Sequence, residues 1–171
     1  MAVSDETLEA VRSSDRVAIE TVINECFPAV HRVAHGLTGD PAIASRVVRF
    51  VLRRGVSVMP RWRQGLIPEN WFYHHTLLTL RRINVPPPPT ERDLLIIAGP
   101  STDPAYVAFV RALRGLPNQQ IEAYLLHHGE KLNERLLGVA MDLSTGAAGS
   151  HLAAATQALQ GLAGEDYPRD R

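Results

Sequence analysis

The stretch NERLLGVAMDLSTGAAGSHLAAATQAL, residues 133–159, carries the clearest folding signal in this chain. Asn133 and Ser144 are residue types that cap helix N-termini, because their side-chain oxygens accept hydrogen bonds from the free N–H groups of the first turn. The pattern predicts a short helix over Asn133–Met141 and a longer one over Ser144–Leu162, joined by a tight turn. Two helices with so short a connection have the spacing of a helix–turn–helix.

The remainder of the chain is also helical in pattern, with Leu94–Ala98 as its one possible strand. Proline, glycine and capping residues predict further helices over residues 5–25, 28–37, 42–54, 69–83, 103–116 and 118–128. The run Pro86-Pro87-Pro88-Pro89 cannot continue a helix. We interpret it as a stiff linker between two helical blocks, and a ligand for a proline-binding domain is the alternative.

The predicted fold is therefore all-α, with two small helical domains joined by a proline-rich linker. The predicted bounds are 1–85 for the first domain, 86–103 for the linker, 104–163 for the helix–turn–helix domain and 164–171 for a flexible tail. A length of 171 residues with 45% hydrophobic residues is typical of a globular protein of this size and excludes a disordered chain.

Composition also predicts the compartment. No apolar run is long enough to span a membrane, and the N-terminal MAVSDETLEAV is acidic where a secretion signal is basic. Cys26 is the single cysteine, which excludes an internal disulfide and a cysteine-based zinc site. These features predict a soluble cytoplasmic protein without membrane contacts.

The formal net charge of zero hides an asymmetry. Residues 1–85 hold 11 arginines against 8 acids, and the window 41–82 holds 8 arginines against Glu69 alone. Such an excess is a candidate surface for nucleic acid or an acidic protein, and a solvated helix face is the alternative. Aromatic residues within it could stack on single-stranded bases. In the alternative, Trp71, His74 or His75, and Leu78 form a core face. The candidate patch comprises Arg46, Arg49, Arg53, Arg54, Arg61, Trp62, Arg63, Trp71, Tyr73, Arg81 and Arg82.

Four motifs occur in the order found in one protein family. They are ECFPAVHRVAHGLTGDPAIASRVVRFVL at 25–52, PENWFYHHTLL at 68–78, LPNQQIEAYLL at 116–126 and LSTGAAGSHLAAATQAL at 143–159. Together they resemble the small two-domain bacterial sigma factors of the extracytoplasmic-function group. The resemblance implies a first domain similar to sigma region two, which binds core RNA polymerase and melts promoters. It implies a second domain similar to region four, which reads promoter DNA.

Two departures from that family pattern concern the contact residues. In the helix where the family has acids that dock on polymerase, this chain has Arg46 and Arg49, and Phe50 replaces a glutamate. Like charges across an interface cost on the order of several kcal/mol, so docking of the family's kind is disfavoured. Residues 144–162, which resemble the recognition helix, contain no Lys or Arg. Since phosphate neutralisation supplies much of DNA affinity, promoter recognition is expected to be weakened or lost.

The helix before the predicted recognition helix is apolar around most of its circumference, a pattern typical of a helix buried on more than one side. We therefore predict that the second domain docks on protein rather than DNA. An ordinary helical core is the alternative, and a homodimer is compatible with the pattern. The candidate docking residues are Leu132, Leu136, Val139, Met141, His151 and Gln157.

Catalytic and metal-binding patterns are weak. His31 and His35 have a helical spacing that suits zinc, but the sequence shows no third ligand. We predict no enzyme activity, no metal and no cofactor. The predicted function is a divergent sigma-factor-like regulator or adaptor that contacts core RNA polymerase or another regulator. The alternatives are a functional sigma factor that binds polymerase and promoter DNA, and a helical metal-binding enzyme.

Overall fold

The computed structural model describes residues 3–83 and 104–160. Every regular element in these two ranges is helical, which confirms the all-α prediction. The chain divides into two compact units, Met1–Val85 and Pro86–Arg171. The predicted linker 86–103, the possible strand Leu94–Ala98 and the predicted tail 164–171 lie outside the described residues.

The first unit contains four α-helices and one short 3₁₀ turn. The helices are α1 (Asp5–Arg12), α2 (Arg16–Thr38), α3 (Pro41–Val58) and α4 (Pro68–Arg82), and the 3₁₀ turn is Met59–Arg61. Helix α2 packs against the other three helices, and α3 also packs against α4. Their facing apolar side chains form one core, in which Val22, Val30 and Val51 are fully buried.

The predicted helix over residues 5–25 is wrong in one respect, because the chain breaks at Ser13 and Ser14. Ser14 has a left-handed backbone with φ of 63°, and its N–H donates to the Val11 carbonyl at 2.9 Å. This helix ending most often uses glycine, so the serine pair gave no signal for it in the sequence. Asp15 then caps α2 by accepting a hydrogen bond from the Ala18 N–H at 2.8 Å.

The predicted break between residues 25 and 28 is also wrong, since α2 runs through Pro28. A proline inside a helix lacks the N–H that would bond to the carbonyl four residues earlier, here that of Asn24. Both Asn24 and Pro28 are exposed, which leaves that carbonyl accessible to water.

The structure places a turn between the predicted helices 28–37 and 42–54. Gly39 adopts a left-handed backbone with φ of 66° and ends the helix. Asp40 caps α3, its Oδ1 accepting hydrogen bonds from the N–H groups of Ala42 at 2.7 Å and Ile43 at 3.0 Å. These caps connect α2 to α3 in a tight helical hairpin.

The second unit contains α5 (Pro104–Arg114), α6 (Asn118–Tyr124), a π-helical turn (Leu125–Gly129), α7 (Glu134–Met141) and α8 (Thr145–Leu159). Helix α8 packs against α5, α6 and α7 and forms the centre of this unit. After the π-helical turn the chain reverses at Lys131, which has φ of 60°. The Nδ1 atom of His127 lies 2.7 Å from the Leu132 carbonyl oxygen and ties the turn to the following segment.

Candidate functional site

Helix α3 separates apolar and cationic residues cleanly. Its buried positions include Ala44, Val47 and Val51, which face the core. Arg46, Arg49, Arg53 and Arg54 are exposed, as the predicted cationic patch requires. Phe50 lies on the same exposed side of the helix, and 57% of its surface is accessible. The phenyl ring is therefore surrounded by arginines one helical turn away in either direction.

The outward arginines of α3 have no carboxylate partner in the part of the chain that the structure describes. The ion pairs found there join Arg12 to Glu9 and Arg16 to Glu20. The side chains of Arg46, Arg49 and Arg53 make no ion pair or hydrogen bond within residues 3–83 and 104–160. The sequence of α3 itself contains no Asp or Glu. The cationic charge of this face is consequently not compensated locally.

His75, on α4, lies close to the cationic side chains of Arg54 on α3 and Arg82 at the end of α4. Burial lowers the pKa of His75 to about 4, with smaller contributions from His74, Arg54 and Arg82. The His75 ring packs on the Trp71 ring, with their centroids 4.0 Å apart. His75 is thus uncharged at neutral pH and adds nothing to the positive charge of the neighbouring arginines.

The aromatic part of the predicted patch requires correction. Trp62 and Tyr73 are only 7% and 3% exposed, so neither ring is available to stack on a base. Trp62 packs within the core against Trp71 and Phe72, at centroid distances of 5.6 Å and 6.0 Å. Trp71 is half-buried. The predicted aromatic stacking surface is therefore mostly part of the hydrophobic core.

The remaining patch arginines are exposed and lie outside α3. Arg61 and Arg63 flank the buried Trp62, and Arg81 and Arg82 lie at the end of α4. The alternative core face is also only partly correct. Its members Trp71, His74, His75 and Leu78 are half-buried, whereas the fully inward positions of α4 include Phe72, Tyr73 and Leu77.

The predicted helix–turn–helix caps in the second unit are confirmed. Asn133 Oδ1 accepts from the Leu136 N–H at 3.0 Å, and Ser144 Oγ accepts from the Ala147 N–H at 3.2 Å. The Leu143 N–H donates to the Gly138 carbonyl at 2.9 Å and closes the corner between α7 and α8. A Cβ atom at Gly138 would lie 2.9 Å from the Leu143 carbonyl oxygen, so the corner requires glycine there.

The outer face of α8 is uncharged. It presents Gly146, Ser150, Ala153 and Gln157 to solvent. A single carboxylate approaches it from α7, because a Cβ atom at Gly149 would lie only 3.2 Å from Glu134 Oε2. The sequence predicted the missing cations but gave no sign of this nearby acid. A helix with no cation and one adjoining carboxylate is a poor surface for DNA phosphates.

The predicted protein-docking residues of the second unit differ in their exposure to solvent. Val139 is 57% exposed and Gln157 is exposed, while Leu136 and His151 are half-buried. Leu132 and Met141 are buried, and their prediction as docking residues is corrected, since they pack in the unit's own core. The apolar circumference of α7 is thus explained mainly by internal packing, with Val139 as its exposed exception.

The candidate metal and nucleophile residues have simple environments. The rings of His31 and His35 stack in parallel with centroids 6.2 Å apart. In the described ranges no group of three or more His, Cys, Asp or Glu side chains could hold a metal ion. Burial raises the pKa of the Cys26 thiol to about 12, and nearby Glu69 and Glu25 add to the effect.

None of the described helices is long and apolar enough to cross a bilayer.

The arrangement of helices is similar to that of a known class of protein. The chain matches the structure of the sigma factor RpoE in complex with the anti-sigma factor NepR from Bartonella quintana, with a TM-score of 0.65. The match covers 84% of this chain and 94% of that chain, at 18% sequence identity. No protein-family model and no curated protein matches the sequence. The chain therefore has a sigma-factor-like fold.

Proposed function

We propose that this chain is a divergent sigma-factor-like protein with a transcription-related role, which acts through protein contacts rather than promoter recognition. In this proposal Met1–Val85 corresponds to sigma region two, and the second unit corresponds to region four. The observation that carries the proposal is the outer face of α8. In the proposal this face corresponds to a recognition helix, but it contains no Lys or Arg and adjoins Glu134.

Electrostatics supports the loss of promoter binding. A DNA-binding protein gains affinity by neutralising phosphates, and each neutralised phosphate adds a slope of about 0.9 to the dependence of log affinity on log salt. The exposed positions of α8 provide no group for this. Base reading also needs long polar side chains in the groove, and Gln157 alone among the exposed α8 residues has one.

A regulatory protein partner is supported by the structural neighbour, which is a sigma factor bound to an anti-sigma factor. The cationic face of α3 provides a second support, because its arginine side chains pair with no acid among the residues that the structure describes. Core RNA polymerase and a regulator of sigma factors are the two partners that we propose to test first.

A functional sigma factor remains the second candidate. It is favoured by the extent of the fold match, which covers both units. The exposed arginines of the first unit could supply phosphate contacts that α8 lacks.

The test is a titration of the full chain with duplex DNA at 50 and 200 mM salt, beside a titration with core RNA polymerase and single-round transcription. We expect DNA binding weaker than micromolar in 200 mM salt and no promoter-directed transcript. Submicromolar DNA affinity in 200 mM salt, or a specific transcript, would contradict the proposal and establish the sigma-factor alternative.

A matched variant tests the role of α8 directly. Ser150→Arg, Ala153→Arg and Gln157→Arg together restore three cations at exposed positions, and we expect DNA affinity to rise at least about tenfold with a steeper salt dependence. The control carries Gln at Ser150 and Ala153, which adds length without charge. Equal affinities of the two variants would show that missing cations do not limit DNA binding.

A further inference from the structure

The exposed face of α3 combines three properties in one place. Arg46, Arg49 and Arg53 form a cationic row at positions separated by about one turn. Phe50 lies beside this row with 57% of its surface exposed. Aromatic residues and arginine are the residue types enriched where proteins bind one another. We call these four residues the α3 surface.

An apolar groove adjoins the α3 surface. It has a volume of about 370 Å³ and lies between the first half of α2 and the end of α3. Ile19, Ile23 and Val56 provide its apolar wall, and the polar part of the lining consists of Ser14, Asn24 and the ion pair of Arg16 with Glu20. Val56 is three residues beyond Arg53 and therefore about one turn further along the same helix. The span of α3 from Arg46 to Val56 is therefore a strip that ends at the groove, whose other lining residues lie between Ser14 and Asn24.

The dimensions of this strip suit a helix. Arg46 and Val56 are ten positions apart, which corresponds to about 15 Å along the axis, or three helical turns. A partner helix of this length would present acids at one-turn intervals to the arginines. Its apolar face would meet Phe50 and the groove.

We propose that the α3 surface and its groove bind an acidic amphipathic helix of a partner protein. The proposal rests on the function above and adds the chemistry of the partner. It depends on charge complementarity, since Arg46, Arg49 and Arg53 have no acidic partner within the described residues. Nucleic acid fits less well, because the wall of the groove is largely aliphatic and the stacking aromatics Trp62 and Tyr73 are buried.

The probe is a fluorescein-labelled 18-residue helical peptide with leucines along one face and glutamates flanking them, titrated into the full chain. A peptide of the same composition in scrambled order removes the amphipathic pattern. We expect saturable binding of the first peptide at micromolar to tens of micromolar concentration, weakening with added salt. We expect at least about tenfold weaker binding of the scrambled peptide.

Two variants locate the site. Arg49→Glu with Arg53→Glu is expected to weaken peptide binding at least about tenfold, and Phe50→Ala about fivefold. The matched control is Lys131→Glu with Arg135→Glu, two exposed cations of the second unit that give the same change in net charge. Circular dichroism verifies that each variant is folded.

Several results would overturn the proposal. One is the absence of peptide binding at 1 mM, and another is equal weakening by the control pair. Tighter binding of a single-stranded oligonucleotide, unaffected by Phe50→Ala, would assign the surface to nucleic acid. Self-association that the α3 variants abolish, without peptide binding, would assign it to a second copy of the chain. These variants do not alter α8, so a failure here is distinct from a failure of the DNA-binding test.

Discussion

Replacement of Gly55 by alanine should reveal how closely α3 and α4 pack. A Cβ atom at this position would lie 2.7 Å from Cε1 and 2.9 Å from Cζ of Phe72. Carbon atoms in favourable contact are about 3.5–4.0 Å apart, so the ring would have to withdraw by almost 1 Å. Phe72 is fully buried, and its ring contacts those of Trp62 and Trp71. It therefore has little room to move.

The magnitude follows from two opposing effects. Overpacking a core costs about 1–3 kcal/mol, and the short distances favour the upper half of that range. Alanine in a helix interior is more favourable than glycine by about 1 kcal/mol. We therefore expect Gly55→Ala to lower the free energy of unfolding of the first unit by about 1–2 kcal/mol. Ser45→Ala on the exposed face of the same helix is the control, and it should change stability by only a few tenths of a kcal/mol.

A second substitution separates the clash from other effects. Phe72→Leu removes the two ring atoms that the new Cβ would meet, so Gly55→Ala in that background should be neutral or stabilising. The predicted coupling free energy between the two sites is about 1–3 kcal/mol. Urea unfolding followed by tryptophan fluorescence measures it, since both tryptophans, Trp62 and Trp71, belong to the first unit. If the loss of stability in the double variant equals the sum of the losses in the two single variants to within about 0.5 kcal/mol, the packing argument is refuted.

Two predictions concern pH and reactivity. Because burial raises the pKa of Cys26 to about 12, the native thiol should react with a disulfide reagent at pH 8 only as fast as the unit unfolds. Rapid stoichiometric labelling without denaturant would contradict this. The pKa of His75 is lowered from 6.5 to about 4, so its neutral form is favoured by folding. The contribution of neutral His75 to the free energy of unfolding is therefore complete above pH 6.5 and is lost as pH falls toward 4. His75→Gln should reduce the dependence of unfolding free energy on pH. An NMR titration that gives His75 a pKa near 6.5 would show that its ring is not buried as described.

Local capping made most of the fold predictable from sequence. Asn133 and Ser144 each mark a helix start and make the expected hydrogen bond, and Asp40 caps α3 in the same way. The break at Ser14 was not predictable from its residue type, because a left-handed serine depends on the packing of α1 and α2 around it. Pro28 was misleading for the opposite reason, since its missing hydrogen bond is tolerated at an exposed position.

The candidate site was predictable where it depends on charge and less so where it depends on burial. The exposed α3 arginines follow directly from the helical period. The burial of Trp62 and Tyr73 does not, because an aromatic residue beside arginines has the same local pattern in a core and on a binding surface. The approach of Glu134 to Gly149 depends on the crossing of α7 and α8, which a single sequence does not specify.

The tight hairpin between α2 and α3 also has a kinetic consequence. Its two helices are neighbours in the chain. Because the connection at Gly39 is short, the entropic cost of closing the loop between them is small. Contacts between sequence neighbours form quickly, so we expect this pair to assemble early, before α4 docks. The cationic row of α3 would then belong to the folding nucleus of the first unit. Its geometry would depend little on the slower, more distant parts of the chain.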